Sequence, residues 1–186
     1  MLDSSAPVKD QVSFRTILRT KTRHAHDKAE LSFARFRADA KRNLGWFLAS
    51  QRAGLGALRA SGIGVSTDLR ARLLIRLDAD LIVHNRPLIP VRAAQELDPL
   101  AVDYIILGSR LGTEVLRRQV FQSGDAIPLY FQTGPEPQLW RTLCDDLALI
   151  DPGSARASAI LRDTRTAFDI FEHAAQAQVD HPGDHI

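Results

Sequence analysis

Thr22, His26 and Glu30 stand at positions i, i+4 and i+8, so on a helix they share one face; Arg19 and Arg23 lie seven and three residues before the histidine. An imidazole flanked by guanidinium groups suits a haem. The iron takes a neutral imidazole, and Arg can bind the propionates of the porphyrin edge bidentately. The same stripe also fits a plain structural role, the commoner fate of a single His on a helix face. A second pattern sits in Gly108-Ser109-Arg110-Leu111-Gly112. Glycine inside a helix costs roughly 0.5–1 kcal/mol relative to alanine, so a pair four residues apart clears one helical face for something to approach. A neighbouring helix or a planar cofactor would meet that demand, and spacing alone favours the helix.

These residues need elements to hold them. From Phe14 to Arg37 the apolar positions Phe14, Ile17, Leu18, Ala25, Ala29, Phe33 and Phe36 recur at three- and four-residue steps with no Gly or Pro, which predicts one long amphipathic helix. A second helix is predicted over 44–60, ending at Ser61-Gly62. A third is predicted over 66–83, with Ser66, Thr67 and Asp68 as capping side chains and Leu69, Leu73, Leu74, Leu77 and Leu81 at helical spacing. Pro87 and Pro90 enforce a loop. Pro99 suits the first turn of a helix that carries Tyr104, Leu107, Leu111, Val115 and Leu116 together with both glycines. Turn residues fill 123–137, and two further helices are predicted over 139–149 and 155–178. Nothing alternates with a strand's period. The chain reads as all-α, one helical domain over 13–178 between a flexible N-terminus, 1–12, and a flexible tail, 179–186.

Composition bounds the function. Hydrophobic residues make up 45% of the 186 and charged residues 25%, the mix of an ordinary globular domain. No apolar run approaches the roughly 18 residues that span a bilayer, and the opening MLDSSAPVKDQ lacks an apolar signal core, so a cytoplasmic protein without a membrane partner is expected. With Cys144 as the single cysteine, no internal disulfide forms and any metal must be held by His or carboxylates or arrive inside a cofactor. Residues 1–60 hold twelve Lys or Arg against five Asp or Glu, which leaves the rest of the chain net acidic. That basic half could receive an anion, although solvated helix faces account for most such charges. The overall charge is only +2 and no nucleic-acid-binding module is recognised, so nucleic acid is not expected as a partner.

Three separated stretches resemble the haem oxygenase family, in the family's order. Leu18-Arg19-Thr20-Lys21-Thr22-Arg23-His24-Ala25-His26-Asp27-Lys28-Ala29-Glu30 is similar to its opening helix, in which a His four residues after a Thr and four before a Glu binds the haem iron; His26 fits and His24 does not. Tyr104 to Leu116 resembles the distal helix, which kinks at glycines above the haem. Thr166-Ala167-Phe168-Asp169-Ile170-Phe171-Glu172 resembles the final helix, with Phe168 packing near the haem, and Trp140 after Pro128 and Tyr130 resembles the segment leading to it. The resemblance spans about residues 14–175.

It implies a bacterial-type, biliverdin-producing enzyme with haem sandwiched between a proximal helix and a kinked distal helix. Haem would be both cofactor and substrate, cleaved with dioxygen and reductant to biliverdin, carbon monoxide and ferrous iron. His26 would be the axial ligand, Glu30 a hydrogen-bond acceptor near the proximal helix, Arg19 and Arg23 the propionate contacts, and Phe168 a wall. Gly108 and Gly112 would let backbone approach the ligand, with Ser109 and Thr113 beside a proton-delivering water network. Thr113 departs from the family, where many members carry a second small residue. Its methyl would crowd the pocket, or its hydroxyl would join the network. The implied partners are an electron donor, ferredoxin or a flavin reductase, and a biliverdin acceptor such as a bilin photoreceptor. A haem-binding or haem-transfer protein of the same fold without turnover is the alternative. A di-iron site would need Glu and Glu-x-x-His ligands on facing helices, and the sequence lacks them.

Overall fold

Leucine at every fourth position of 69–81 makes a stripe that only burial can satisfy, and the molecule is assembled from such stripes packed on one another. The computed structural model describes residues 13–92 and 95–178. The expected flexible ends, 1–12 and 179–186, with His181 and His185, lie outside the described residues. Seven helices are present among those described: α1 (Phe14–Ser32), α2 (Ala34–Ala38), α3 (Ala40–Ala57), α4 (Thr67–Val83), α5 (Pro99–Val120), α6 (Pro137–Ala148) and α7 (Ala155–Ala177). One 3-10 turn, Leu129–Gln132, lies between α5 and α6. The described residues contain no β-strand, only an isolated bridge between Ala60 and Leu97. None of these helices is long and apolar enough to cross a membrane.

Helix α7 is the hub. It packs against α1, α3 and α5, while α4 covers the far side of α3 and α6 lies on α5. Between α1 and α7 the Lys28 ammonium meets the Glu172 carboxylate at 2.8 Å, and Arg165 donates to the Lys21 carbonyl at 3.0 Å. The indole N–H of Trp46 on α3 is shared between the carbonyls of Ala175 (3.2 Å) and Gln178 (3.1 Å), tying down the end of α7. At Gly54 the two helices come so close that a Cβ would fall 2.7 Å from the Phe171 ring. Rings of Phe36, Phe47 and Phe131 stack at the centre of the core, Phe36 and Phe47 with centroids 4.1 Å apart.

The structure departs from the predicted elements in three places. The predicted helix 14–37 is broken at Phe33, which leaves α1 and α2 as separate pieces. No Gly or Pro causes the break. Phe33 turns its ring against Trp46 and Phe47, its N–H closes on the Glu30 carbonyl, and Arg37 donates to that same carbonyl at 3.0 Å. The caps also differ. Ser66 makes no side-chain cap for α4, because its hydroxyl donates to buried Asp103 at 2.6 Å. Helix α3 starts four residues earlier than expected, where the Asp39 carboxylate accepts from the Arg42 N–H.

Candidate functional site

A cleft of about 370 Å³, in the size range of small-molecule sites, opens between α1, α5 and α7, with α3 at its back and α6 at one side. Helix α1 contributes His26, Ala29 and Glu30, followed by Phe33 and by Arg37 of α2. Helix α5 contributes Gly108, Ser109, Leu111, Gly112 and Thr113, and α7 contributes Phe168 and Phe171. Seven of the nine residues singled out from the sequence therefore meet around one space: His26, Glu30, Gly108, Ser109, Gly112, Thr113 and Phe168.

The glycines face that space. A Cβ on Gly112 would meet nothing within 4 Å, and one on Gly108 would touch only Trp140 at 4.0 Å. The face they clear is thus open to the cleft and is not filled by a neighbouring helix, which answers the packing alternative left by spacing. Helix α5 spans both glycines as one element, Pro99–Val120. Leu111 and Val115, expected among the helix's apolar packing positions, are half exposed, and Leu111 lies on the cleft wall.

His26 sits on the opposite wall, half exposed, with its ring edge-on to Phe168 at a centroid distance of 5.6 Å. Its Nδ1 lies 3.3 Å from the Asp27 carboxylate, and its Nε2 lies 3.9 Å from that of Glu30, beyond hydrogen-bonding distance. In the neutral tautomer that donates Nδ1–H to Asp27, Nε2 carries the lone pair and is the ligand nitrogen. Asp27, which the sequence did not single out, is therefore the nearer carboxylate partner. His26, Asp27 and Glu30 form the one cluster with metal-ligand proximity among the described residues. All three come from a single helix, unlike the facing-helix Glu and His ligands of a di-iron site.

Arg19 and Arg23 do not line the cleft. Arg23 points to solvent, with its guanidinium 3.7 Å from Asp27. Arg19 is exposed near Tyr104, a residue of the cleft wall whose phenol is pushed up by burial, a shift that the positive charges of Arg19 and Arg15 oppose. The guanidinium on the cleft wall is Arg37, brought there by the break at Phe33.

Behind the α5 wall lies a polar group that the sequence gave no sign of. Arg110 is fully buried. It donates to the Thr113 hydroxyl at 2.9 Å, to the Tyr130 carbonyl at 3.4 Å and, at close range, to the Tyr130 hydroxyl. Its guanidinium lies over the Tyr130 ring, 4.3 Å from the centroid. Tyr130 is held in turn by the Asp80 carboxylate, which accepts from the N–H groups of Leu129 and Tyr130, both at 2.8 Å. Two hydroxyls of the α5 wall are turned back on their own helix: Ser109 donates to the Ile106 carbonyl and Thr113 to the Ser109 carbonyl, each at 2.8 Å.

No protein-family model, curated protein or solved structure matches this chain.

Proposed function

We propose that the cleft binds haem and that the protein is a haem oxygenase, cleaving haem with dioxygen and externally supplied electrons to biliverdin, carbon monoxide and ferrous iron. One observation carries the reading: a histidine lines the same cleft as a helix whose two glycines leave open the space their side chains would fill. The residues present fit such a group. The apolar walls, Ala29, Phe33, Leu111, Trp140 and Phe168, suit a flat hydrocarbon ring, and His26 suits its iron.

Bound haem would supply the redox iron and the porphyrin that is itself oxidised. The chain's own part is positional. His26 would hold the iron through Nε2, while Asp27, accepting from Nδ1, fixes the ring orientation and makes the imidazole a stronger donor. Phe168, edge-on to His26, limits the swing of that ring. Gly108 and Gly112 let the α5 backbone come near the reacting centre, and the surrounding apolar side chains exclude bulk water. Arg37 is better placed than Arg19 or Arg23 to meet a propionate. The electron donor would be a ferredoxin or a flavin reductase, and a bilin photoreceptor could receive the biliverdin.

One feature favours the second reading, a haem-binding or haem-transfer protein without turnover. The Ser109 and Thr113 hydroxyls have already given their protons to backbone carbonyls, so they offer none to a ligand or a water chain. Reductant added under air to the haem-loaded protein separates the two. Loss of the Soret band with growth of a biliverdin spectrum is expected; a Soret band that persists without product would establish the binding protein instead.

A further inference from the structure

With the Ser109 and Thr113 hydroxyls committed to backbone carbonyls, the amide donor on the cleft wall is carried by α3. Gln51 is buried and lines the cleft. Its Oε1 accepts from the Tyr130 hydroxyl at 3.0 Å, and its amide N–H₂ makes no hydrogen bond among the described residues.

The direction of this chain of bonds is dictated by its far end. A guanidinium only donates, so Arg110 requires the Tyr130 oxygen to accept. The Tyr130 proton then has to go onward, and Gln51 has to receive it on its carbonyl oxygen. An amide whose oxygen faces Tyr130 presents its N–H₂ on the other side. The usual ambiguity between the two ends of a glutamine is thereby removed. Arg110 is also an unusual residue to bury. None of its partners among the described residues is a carboxylate, and its Nε has no partner at all. A cation taken from water without a counter-ion carries a large desolvation cost, and its positive field reaches whatever lies beyond Thr113 and Gln51.

We propose that Gln51 is the hydrogen-bond donor to a ligand in this cleft and that Arg110 is a positioning residue, setting the Gln51 amide through Tyr130 and biasing the cleft toward anionic ligands. The proposal rests on the haem reading above and names the specificity of that same site. A small anion on the iron, such as azide, would gain the Gln51 hydrogen bond and the Arg110 field, whereas neutral imidazole would gain little from either.

The test is titration of the ferric haem-loaded protein with azide and with imidazole, for wild type, Gln51→Glu, Tyr130→Phe, Arg110→Met and Arg110→Lys. Gln51→Glu keeps the shape and the acceptor for Tyr130 but replaces the donor by a carboxylate. Azide affinity is expected to fall at least about tenfold in Gln51→Glu and Arg110→Met, the scale of one lost charge-assisted hydrogen bond, with imidazole affinity changed less than about twofold. Tyr130→Phe, which frees the amide to turn, is expected to lose about threefold or more for azide alone. Arg110→Lys, still a pure donor, is expected to recover most of the Arg110→Met loss. Should Arg110→Met fail to fold, Gln51→Glu and Tyr130→Phe decide the matter. Equal azide affinities across folded, haem-loaded variants, or parallel losses for azide and imidazole, would overturn the proposal while leaving the haem reading intact. Failure of the wild type to form any haem complex would overturn both.

Discussion

Replacing Gly108 and Gly112 together by alanine ought to make the ligand-free protein more stable and its ligand complex weaker. The first half follows from helix energetics: each alanine removes backbone freedom from the unfolded chain and favours the helix by roughly 0.5–1 kcal/mol. Neither new methyl meets an obstacle, since the Gly112 Cβ position has no neighbour within 4 Å and that of Gly108 touches Trp140 only at 4.0 Å. The pair should therefore add about 1–2 kcal/mol, which for a domain of this size raises the melting temperature by roughly 2–8 °C. The second half follows from where the methyls go, namely into the space between α5 and His26. Thermal melts of the ligand-free protein, paired with haemin titrations followed at the Soret band, measure both. A double variant that is less stable without ligand would show that the glycine face serves a helix contact, and one that binds haemin as tightly as wild type would show that the cleared face is not where the ligand lies.

Gly54→Ala is the opposite case: its Cβ would land 2.7 Å from the Phe171 ring where α3 crosses α7, so a loss of about 1–3 kcal/mol in urea denaturation is expected, and a neutral result would contradict the close crossing. Glu114 answers to pH. Arg117 and Arg118 donate to its carboxylate and hold it at about 2, down from its ordinary 4.5. Because the folded state depresses this acid, the stability it contributes is complete above pH 4.5 and is lost as pH falls towards 2. The melting-temperature gap between wild type and Glu114→Gln should accordingly be present at pH 6 and close below pH 4.5; a gap that grows on acidification would contradict the ion-pair geometry.

Much of the helical frame was legible because it rests on local signals. The Leu69–Leu81 stripe and Pro99 at the start of α5 each act within a few residues, and α4 and α5 form where those signals put them, whereas α3 ends at Ala57, before the glycines expected to stop it. The break at Phe33 had no such signal. It depends on ring contacts with α3 and on Arg37 reaching back to the Glu30 carbonyl, both absent from any local pattern. The site divides the same way. His26, Gly108 and Gly112 stand out by type and spacing, and they line the same cleft. Arg19 and Arg23 were placed by spacing too, but two helical turns carry Arg19 about 10 Å along α1, away from His26 and beside Tyr104. A step of three residues turns Arg23 aside to Asp27. Neither Arg110 nor Gln51 carries a local signal of burial, because charged and amide residues ordinarily face solvent. What buries them is Tyr130, twenty residues beyond one and seventy-nine beyond the other.

The central claim is that His26 offers its Nε2 to a haem iron across a cleft walled by Gly108 and Gly112, and haemin titration of wild type and His26→Ala tests it most directly. The wild type is expected to give a stoichiometric complex with a sharp Soret band, and the variant a weakened complex with a shifted band that added imidazole restores. Identical spectra and affinities for the two proteins would contradict the assignment of His26, and no haemin complex with the wild type would contradict the account as a whole.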